Sequence, residues 1–410
     1  MQSDEALERP FIDLLTSEKY EEACRIYRED PKKRAILGPI WQELYQDKIK
    51  EKKFSKALML GVLFGRNHRW ITHPATMLAY LSIKHGKYKK AMHLLKRYPV
   101  DYFTIVGAIE NILPGTNNDL RRLLESLKPS VHLEPSEILN LLNASTRILQ
   151  RSPFREGWLA HLPENQEIVV TGDLHGNRRN LDIFLKIADL ENHPGRHIVF
   201  QEIVHDRSLL IDFRDLSFLE IVDVLKYLVR FPNRVHLLLG NHDLNIFLGK
   251  ETTRSKKKLN YFFERGMNLI FKQEVPEILE AYRRLIFEMS AAIKMGSILL
   301  THSNPDIHRP FEMSSLQKKV PLESNPSIQS LVIGRNHSQE TVEPLLKKAG
   351  SRFSIIGHEI CLLGYELPND MQIVLDSCHP KGYYLICVPS AIESIQDLKK
   401  GLRPIRNEEE

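Results

Sequence analysis

Apolar positions along this chain follow more than one rhythm. Past residue 165 they come in short runs separated by helical stretches. Glu167 to Thr171, His197 to Gln201, Val235 to Leu239, Ser297 to Thr301, Ser354 to Ile356, Met371 to Leu375 and Tyr383 to Val388 read as strands. Asn180 to Leu190 and Phe218 to Phe231 read as helices, the second with apolar residues at 218, 221, 222, 224, 225 and 228. Strands alternating with helices predict a layered α/β domain. Upstream, Asp119 to Leu127 and Ser136 to Leu149 place apolar residues three and four apart and read as helices, with Pro114 to Asn118 as a loop before them. The resulting division is 1–111, a helical domain; 112–160, connecting and capping helices; 161–392, the α/β domain; and 393–410, a tail.

The first third carries a longer period. Lys19-Tyr20-Glu21-Glu22-Ala23 is echoed by Lys53-Phe54-Ser55-Lys56-Ala57 and again by Lys87-Tyr88-Lys89-Lys90-Ala91. The aromatic recurs at 20, 54 and 88 and the alanine at 23, 57 and 91, so both spacings are 34 residues. A small Ala lets paired helices approach, and the aromatic fills the gap beside it. Trp41 and Leu44 fall where the second unit should carry its Trp and Leu, whereas Gly61 stands at a position that should be bulky and only Gly86 supplies the turn glycine. The pattern resembles the tetratricopeptide repeat, and a generic helical bundle is the alternative. Such arrays present a concave face to a protein partner.

The chain has 410 residues, 42% of them hydrophobic, which suits two or three domains with real cores. A net charge of +5 over this length gives no argument for a nucleic-acid partner. The four cysteines, Cys24, Cys361, Cys378 and Cys387, share no C-x-x-C spacing, so neither a disulfide framework nor a thiolate zinc site is expected. The N-terminal residues show no basic-then-apolar leader and no apolar run approaches a membrane span, so the expected location is cytoplasmic, with no membrane partner. Arg254 to Lys258 is a basic run, read as a solvated helix face or a lure for anionic substrate, and Glu408 to Glu410 reads as a disordered acidic end.

The segments directly after the strands carry the chemistry. The first strand leads into Gly172-Asp173-Leu174-His175-Gly176. The second leads into Gln201-Glu202-Ile203-Val204-His205-Asp206-Arg207, and the third into Gly240-Asn241-His242-Asp243. Thr301-His302-Ser303 and Gly357-His358-Glu359 complete the set. Strand ends of an α/β sheet can converge on one crevice. Asp, His, Glu, Asn, His and His, with no thiolate, fit a pair of divalent ions better than one structural zinc.

These motifs resemble the calcineurin-like metallophosphoesterases, and within them the serine/threonine phosphoprotein phosphatase branch, over roughly residues 165 to 390. Gly172 to Gly176 matches the first motif in full. Phe231-Pro232-Asn233 through Asp243 resembles the Gly-Asn-His segment, and Gly334-Arg335, Ile356 to Glu359 and Gly364-Tyr365-Glu366 resemble the late part. The resemblance implies a β-sandwich flanked by helices and two divalent ions, manganese, iron or zinc. Asp173 and His175 would hold the first ion, Asn241, His302 and His358 the second, and Glu202 would bridge. A bridging hydroxide would attack phosphorus in line, His242 would protonate the departing oxygen, and Asp206 would orient His242. Arg207, Arg335 and Asn241 would hold phosphate oxygens.

The second motif departs from the family's Gly-Asp-x-x-Asp-Arg. Glu202 replaces the Asp, Gln201 replaces the Gly, and His205 lengthens the interval by one residue. Either Glu202 still bridges and a bulge restores register, or the bridge is lost, or His205 serves as a replacement ligand. Asp243 stands for the branch's usual Glu and Leu239 for its Arg. Thr301 to Ser303 departs from its usual His-Gly, and Ser377 to Pro380 from the region of its substrate-side Tyr. The expected function is a metal-dependent phosphoric monoester hydrolase of the protein phosphatase kind, acting on a phosphorylated protein. The rivals are a small-phosphoester enzyme, such as a dinucleoside polyphosphate or cyclic-nucleotide hydrolase, and a weakly active or inactive scaffold that works through its repeats.

Overall fold

The computed structural model describes residues 2–29, 31–65, 68–97, 105, 133–206, 215–254, 257–305, 311–378 and 381–406. The expected loop at 114–118 and helix at 119–127 lie outside these residues. The described residues form two compact units, one up to residue 105 and one from residue 133 onward.

The first unit is helical: α1 (Gln2–Thr16), α2 (Tyr20–Arg28), α3 (Pro31–Lys50), α4 (Phe54–Leu60), α5 (His68–Lys84) and α6 (Tyr88–Arg97). Tyr20, Phe54 and Tyr88 each open a helix, and Ala23, Ala57 and Ala91 are fully buried. The turn ahead of each is the same. Glu18, Lys52 and Gly86 take left-handed φ values of 60°, 58° and 69°, ending one helix so that the next folds back. A glycine holds this conformation at no steric cost at one of the three turns; a glutamate and a lysine hold it at the others. Gly61 lies in a π-wound turn, Gly61–Gly65, that continues α4. Phe11, Trp41 and Phe64 pack into the core beside Tyr20.

The second unit is layered. It starts with α7 (Pro135–Gln150), within one residue of the expected helix at each end. Next come β1 (Arg155–Glu156), β2 (Leu159–His161), β3 (Ile168–Asp173), α8 (Arg178–Ala188), β4 (His197–Gln201), α9 (Phe218–Arg230), β5 (Val235–Leu238) and α10 (Asn241–Leu248). A small hairpin, β6 (Thr253–Arg254) and β7 (Lys257–Lys258), precedes α11 (Leu259–Phe271) and α12 (Val275–Phe287). The expected basic helix face at Arg254 to Lys258 is therefore a two-stranded ladder where it is described, with Arg254 paired to Lys257. The remaining elements are β8 (Ala292–Met295), β9 (Ile298–Thr301), α13 (Pro326–Ile333), α14 (Gln339–Ala349), β10 (Phe353–Ile356), β11 (Tyr365–Asn369), β12 (Gln372–Leu375), β13 (Tyr383–Cys387), α15 (Ile395–Lys400) and β14 (Leu402–Pro404). Residues 395–404, expected within a tail, instead add a helix and an edge strand paired to β13, because Leu398 and Leu402 bury in the core.

Among the described residues the strands form a sheet in the order β1-β2-β8-β9-β10-β12-β11 and another in the order β14-β13-β3-β4-β5. Ile168 and Val170 of β3 point into a shared core with Ile293, Leu300, Ile355 and Ile373 of the other sheet. Val169, between them, faces the other way and packs with Leu181 and Phe184 of α8. This period-2 alternation, apolar on both faces, makes a sandwich clothed by helices. β3, β4 and β5 run parallel, as do β9, β10 and β12, so their C-terminal ends share a direction within each sheet.

Candidate metal centre

The loops after β3 and β4 are tied together by their backbones. The N–H groups of Leu174 and His175 both donate to the Glu202 carbonyl, at 3.1 and 2.9 Å, and Gly176 N donates to Ile203 O at 2.7 Å. His175 and Glu202 have positive φ, 44° and 42°, as do His205 and His358 at 66° and 69°. L-residues hold such conformations at about 1–2 kcal/mol each. Four of them around one cluster mark a backbone bent to aim side chains.

The aim is inward. Asp173, His175, Glu202, His302 and His358 are all buried. His175 Nε2 lies 3.6 Å from Asp173 Oδ2 and 3.5 Å from Glu202 Oε2. On the other side of Glu202, His302 Nε2 lies 3.4 Å from Oε2. Asn241 Oδ1 sits 2.9 Å from both His302 Nε2 and His358 Nδ1, which are 3.1 Å apart. Two glycines make room. A Cβ on Gly357 would stand 2.3 Å from Asp173 Oδ1, and one on Gly240 would stand 2.6 Å from Glu202 Oε1.

Neighbouring groups set which ring nitrogens carry lone pairs. His175 Nδ1 is 3.0 Å from the Val204 carbonyl, an acceptor, so Nδ1 holds the proton and Nε2 faces the carboxylates bare. Gln201 donates its amide N–H to Thr171 O at 2.6 Å, which turns its oxygen toward His302 Nδ1 at 3.3 Å. His302 Nε2 is then also bare. Acceptor atoms of His302, Asn241 and Glu202 converge beside Nδ1 of His358. Such a knot of acceptors is repulsive unless a cation lies within it, so the residues present fit the ions that the motifs imply. Two groups have ligand atoms within 4.8 Å of one another: His175, Glu202 and His242, and Glu202, His302 and His358. Glu202 is common to both.

Of the other expected site residues, His242 donates its backbone N–H to Glu202 Oε1 at 2.9 Å. Its Nδ1 lies 2.7 Å from His205 Nδ1. Burial pushes His205 down to about 3, so it stays neutral. Asp206 donates its backbone N–H to Asp215 Oδ1 at 3.3 Å, and burial pushes the Asp215 carboxyl up to about 7. Arg335 is 59% exposed and pairs with Glu359, the residue after His358, at 2.7 Å. Arg207 lies outside the described residues. Asp243 accepts from Gly240 N at 3.2 Å and from the Tyr282 hydroxyl at 3.1 Å, so its shorter side chain serves the turn that presents Asn241. Sequence reasoning missed Gln201 as the group orienting His302. Its place, last in an apolar strand, was the available signal.

Residues 167–361 match the family model described as calcineurin-like phosphoesterase. Among solved structures the chain is similar to a protein serine/threonine phosphatase from Saccharomyces cerevisiae with similarity to human phosphatase PP5. The identity is 15%, over 63% of this chain and 84% of that one, with a TM-score of 0.47. It is also similar to a cold-active protein-tyrosine phosphatase of the psychrophile Shewanella, at 12% identity over 61% and 84%, with a TM-score of 0.38. No curated protein matches the chain.

Proposed function

We propose that this metallophosphatase, whose residues 167–361 are a calcineurin-like phosphoesterase domain, hydrolyses phosphoric monoesters of the serine/threonine phosphoprotein kind. The observation that carries the reading is the shared carboxylate: Glu202 Oε2 lies 3.5 Å from His175 Nε2 on one side and 3.4 Å from His302 Nε2 on the other. Asp173 and His175 are assigned to one ion, Asn241, His302 and His358 to the other, with manganese, iron and zinc all suited to the nitrogen and oxygen donors. When bound, two divalent ions supply Lewis-acid chemistry, polarising phosphoryl oxygens and acidifying water. The chain's own groups do the rest. His242 gives a proton to the departing oxygen, and Arg207 and Arg335 hold phosphate oxygens through planar guanidinium forks. A protein substrate is supported by the late motif, Gly334-Arg335 through Gly364-Tyr365-Glu366. The helical unit is assigned as a tetratricopeptide-like array that binds a protein partner, a reading supported by its identical turns and buried alanines at a spacing of 34 residues.

The test is phosphate release from an aryl phosphate by metal-stripped protein titrated with manganese, beside Glu202→Ala and His242→Ala. Metal-dependent turnover that both substitutions cut is expected. A panel of phosphopeptides, dinucleoside polyphosphates and cyclic nucleotides then separates the substrate classes. The Glu for Asp and the extra residue in the second motif favour one other reading, a phosphatase-like scaffold; silence with manganese, iron and zinc alike would establish it.

A further inference from the structure

The residue that lengthens the second motif, His205, takes part in a contact that the hydrolase reading leaves unused. Its Nδ1 stands 2.7 Å from Nδ1 of His242, close enough for one hydrogen bond and too close for anything between them. The ring is fixed from several sides. The residue is 1% exposed, its backbone has φ 66°, its N–H donates to Ser217 Oγ at 2.9 Å, and Phe263 stands across it at 88° with centroids 5.8 Å apart. Among the described residues His205 Nε2 has no hydrogen-bond partner, so the contact with His242 is the one polar commitment of this side chain. A side chain this buried, with one polar contact and an uncommon backbone, is placed there for that contact.

We infer that His205 is the positioning residue of the general acid: its Nδ1 accepts the Nδ1–H of His242 and so turns the opposite nitrogen, Nε2–H, toward the leaving group. The proposal rests on the hydrolase reading and deepens it, because it gives the inserted residue the orienting task expected of Asp206. The step it serves balances simply. Water oxygen forms a bond to phosphorus, and the bond from phosphorus to the leaving oxygen breaks. The electron pair stays on that oxygen, which takes the Nε2 proton of His242, while the proton of the attacking water goes to solvent. The Nδ1–H of His242 stays on its nitrogen throughout, so the contact with His205 orients the ring and transfers nothing. With Nδ1 of His205 acting as acceptor, its own proton sits on Nε2, which is buried with no hydrogen-bond partner among the described residues.

A misaimed acid matters in proportion to how badly the leaving group needs a proton. A nitrophenolate leaves unaided, whereas an alkoxide does not. The experiment therefore compares 4-nitrophenyl phosphate with a phosphoserine peptide in the full-length, manganese-loaded protein. It uses His205→Leu, which fills space without an acceptor, and His205→Asn, whose side-chain oxygen can accept in place of Nδ1. Thermal melts verify folding, and bound manganese per chain is measured for each variant. For Leu we expect kcat on the peptide to fall about 100-fold, the low end for loss of general acid catalysis. On the aryl ester the fall should stay within a few-fold, with manganese content unchanged and Asn restoring most of the loss. Equal losses on both esters together with lost manganese would overturn the assignment and make His205 a support of the ion site. An unchanged ratio would overturn it too, and Asp206→Ala would then name the orienting group. If Leu does not fold, the Asn variant decides: an Asn protein that loses peptide turnover about 100-fold, the loss expected of Leu, sinks the proposal. Absence of turnover by the unsubstituted protein on either ester sinks the hydrolase reading and this inference together.

Discussion

Strands β4 and β5 lie side by side, and each has one histidine near its start and another in the segment past its end. Where the strands begin, His197 and His236 stack at 12° with Nδ1 and Nε2 2.9 Å apart. Beyond their far ends, His205 and His242 meet at 2.7 Å. The two pairs share chemistry and differ in company, and only the second has a half-buried member, His242. The first is walled by Phe154, and its outer nitrogen meets the amide oxygen of Gln166. The second borders Glu202, His175 and the glycine-lined turns. Two imidazoles in contact are therefore no sign of an ion site. The far end is distinguished by a carboxylate that burial would penalise heavily without a counter-charge. The sheet gives a reason for the asymmetry: at the C-terminal ends of parallel strands the chain leaves the ladder and can bend, whereas at their beginnings the pair is clamped between neighbours.

The comparison breaks first at Glu202. Its replacement by Ala should lower turnover by about a thousand-fold or more, the scale of losing a main electrostatic stabiliser, and should abolish stoichiometric manganese binding in a direct metal assay. His236→Gln, at the other pair, should leave turnover within about two-fold, in the range of substitutions far from a reacting centre. If Glu202→Ala keeps both ion binding and turnover, the distinction between the two ends collapses.

Gly357→Ala ranks next. Its new methyl would press on Asp173 Oδ1, and overpacking of this sort costs about 1–3 kcal/mol. Because that carboxylate accepts the His358 N–H at 3.0 Å, activity should fall with stability, visible as a lower midpoint in urea and weaker manganese binding.

A milder effect sharpens the comparison through pH. Burial pushes His197 down to about 4 and His236 down to about 3. Both folded values lie below the unfolded one near 6.5. Above pH 6.5 neither state binds the protons and the pair costs nothing. As pH falls from 6.5 toward 4 the unfolded chain takes up protons that the folded chain refuses, so stability drops through that window. Melting temperatures measured from pH 7 to 4 should show this slope, and His236→Gln should flatten it.

The smallest effect is a control on backbone strain. Lys52→Gly removes a side chain from a left-handed turn with φ 58° and should raise the stability of the helical unit by about 1 kcal/mol, read by denaturant melting. Relief at this turn should be pure gain. Relief at Glu202 or His358, whose side chains the same conformation aims into the cluster, should not be.

Much of this was legible from residue order. The run His197 to Gln201 is a strand over those same residues, its Ile198, Val199 and Phe200 favouring a short buried strand between helical segments. The donors at the ends of β3, β5, β9 and β10 come together because parallel strands deliver their C-terminal loops to one side. β8 is not among the expected strands, because its four residues Ala292–Met295 are too short for a pattern of their own, although Gly296-Ser297 before β9 is a hairpin signal. The partner of His242 was also illegible. It depends on whether the chain bends left-handed at Glu202 and again at His205, and φ at a non-glycine residue leaves no mark in the sequence.

On the proposed reading Glu202 serves two ion positions with a single carboxylate, which would make their occupancies interdependent. If filling one group alters the affinity of the other by some factor, filling the second alters the first by the same factor, as thermodynamic linkage demands. Titration with metal should then give one coupled isotherm rather than two independent ones. Substitution of this residue should then weaken both positions together.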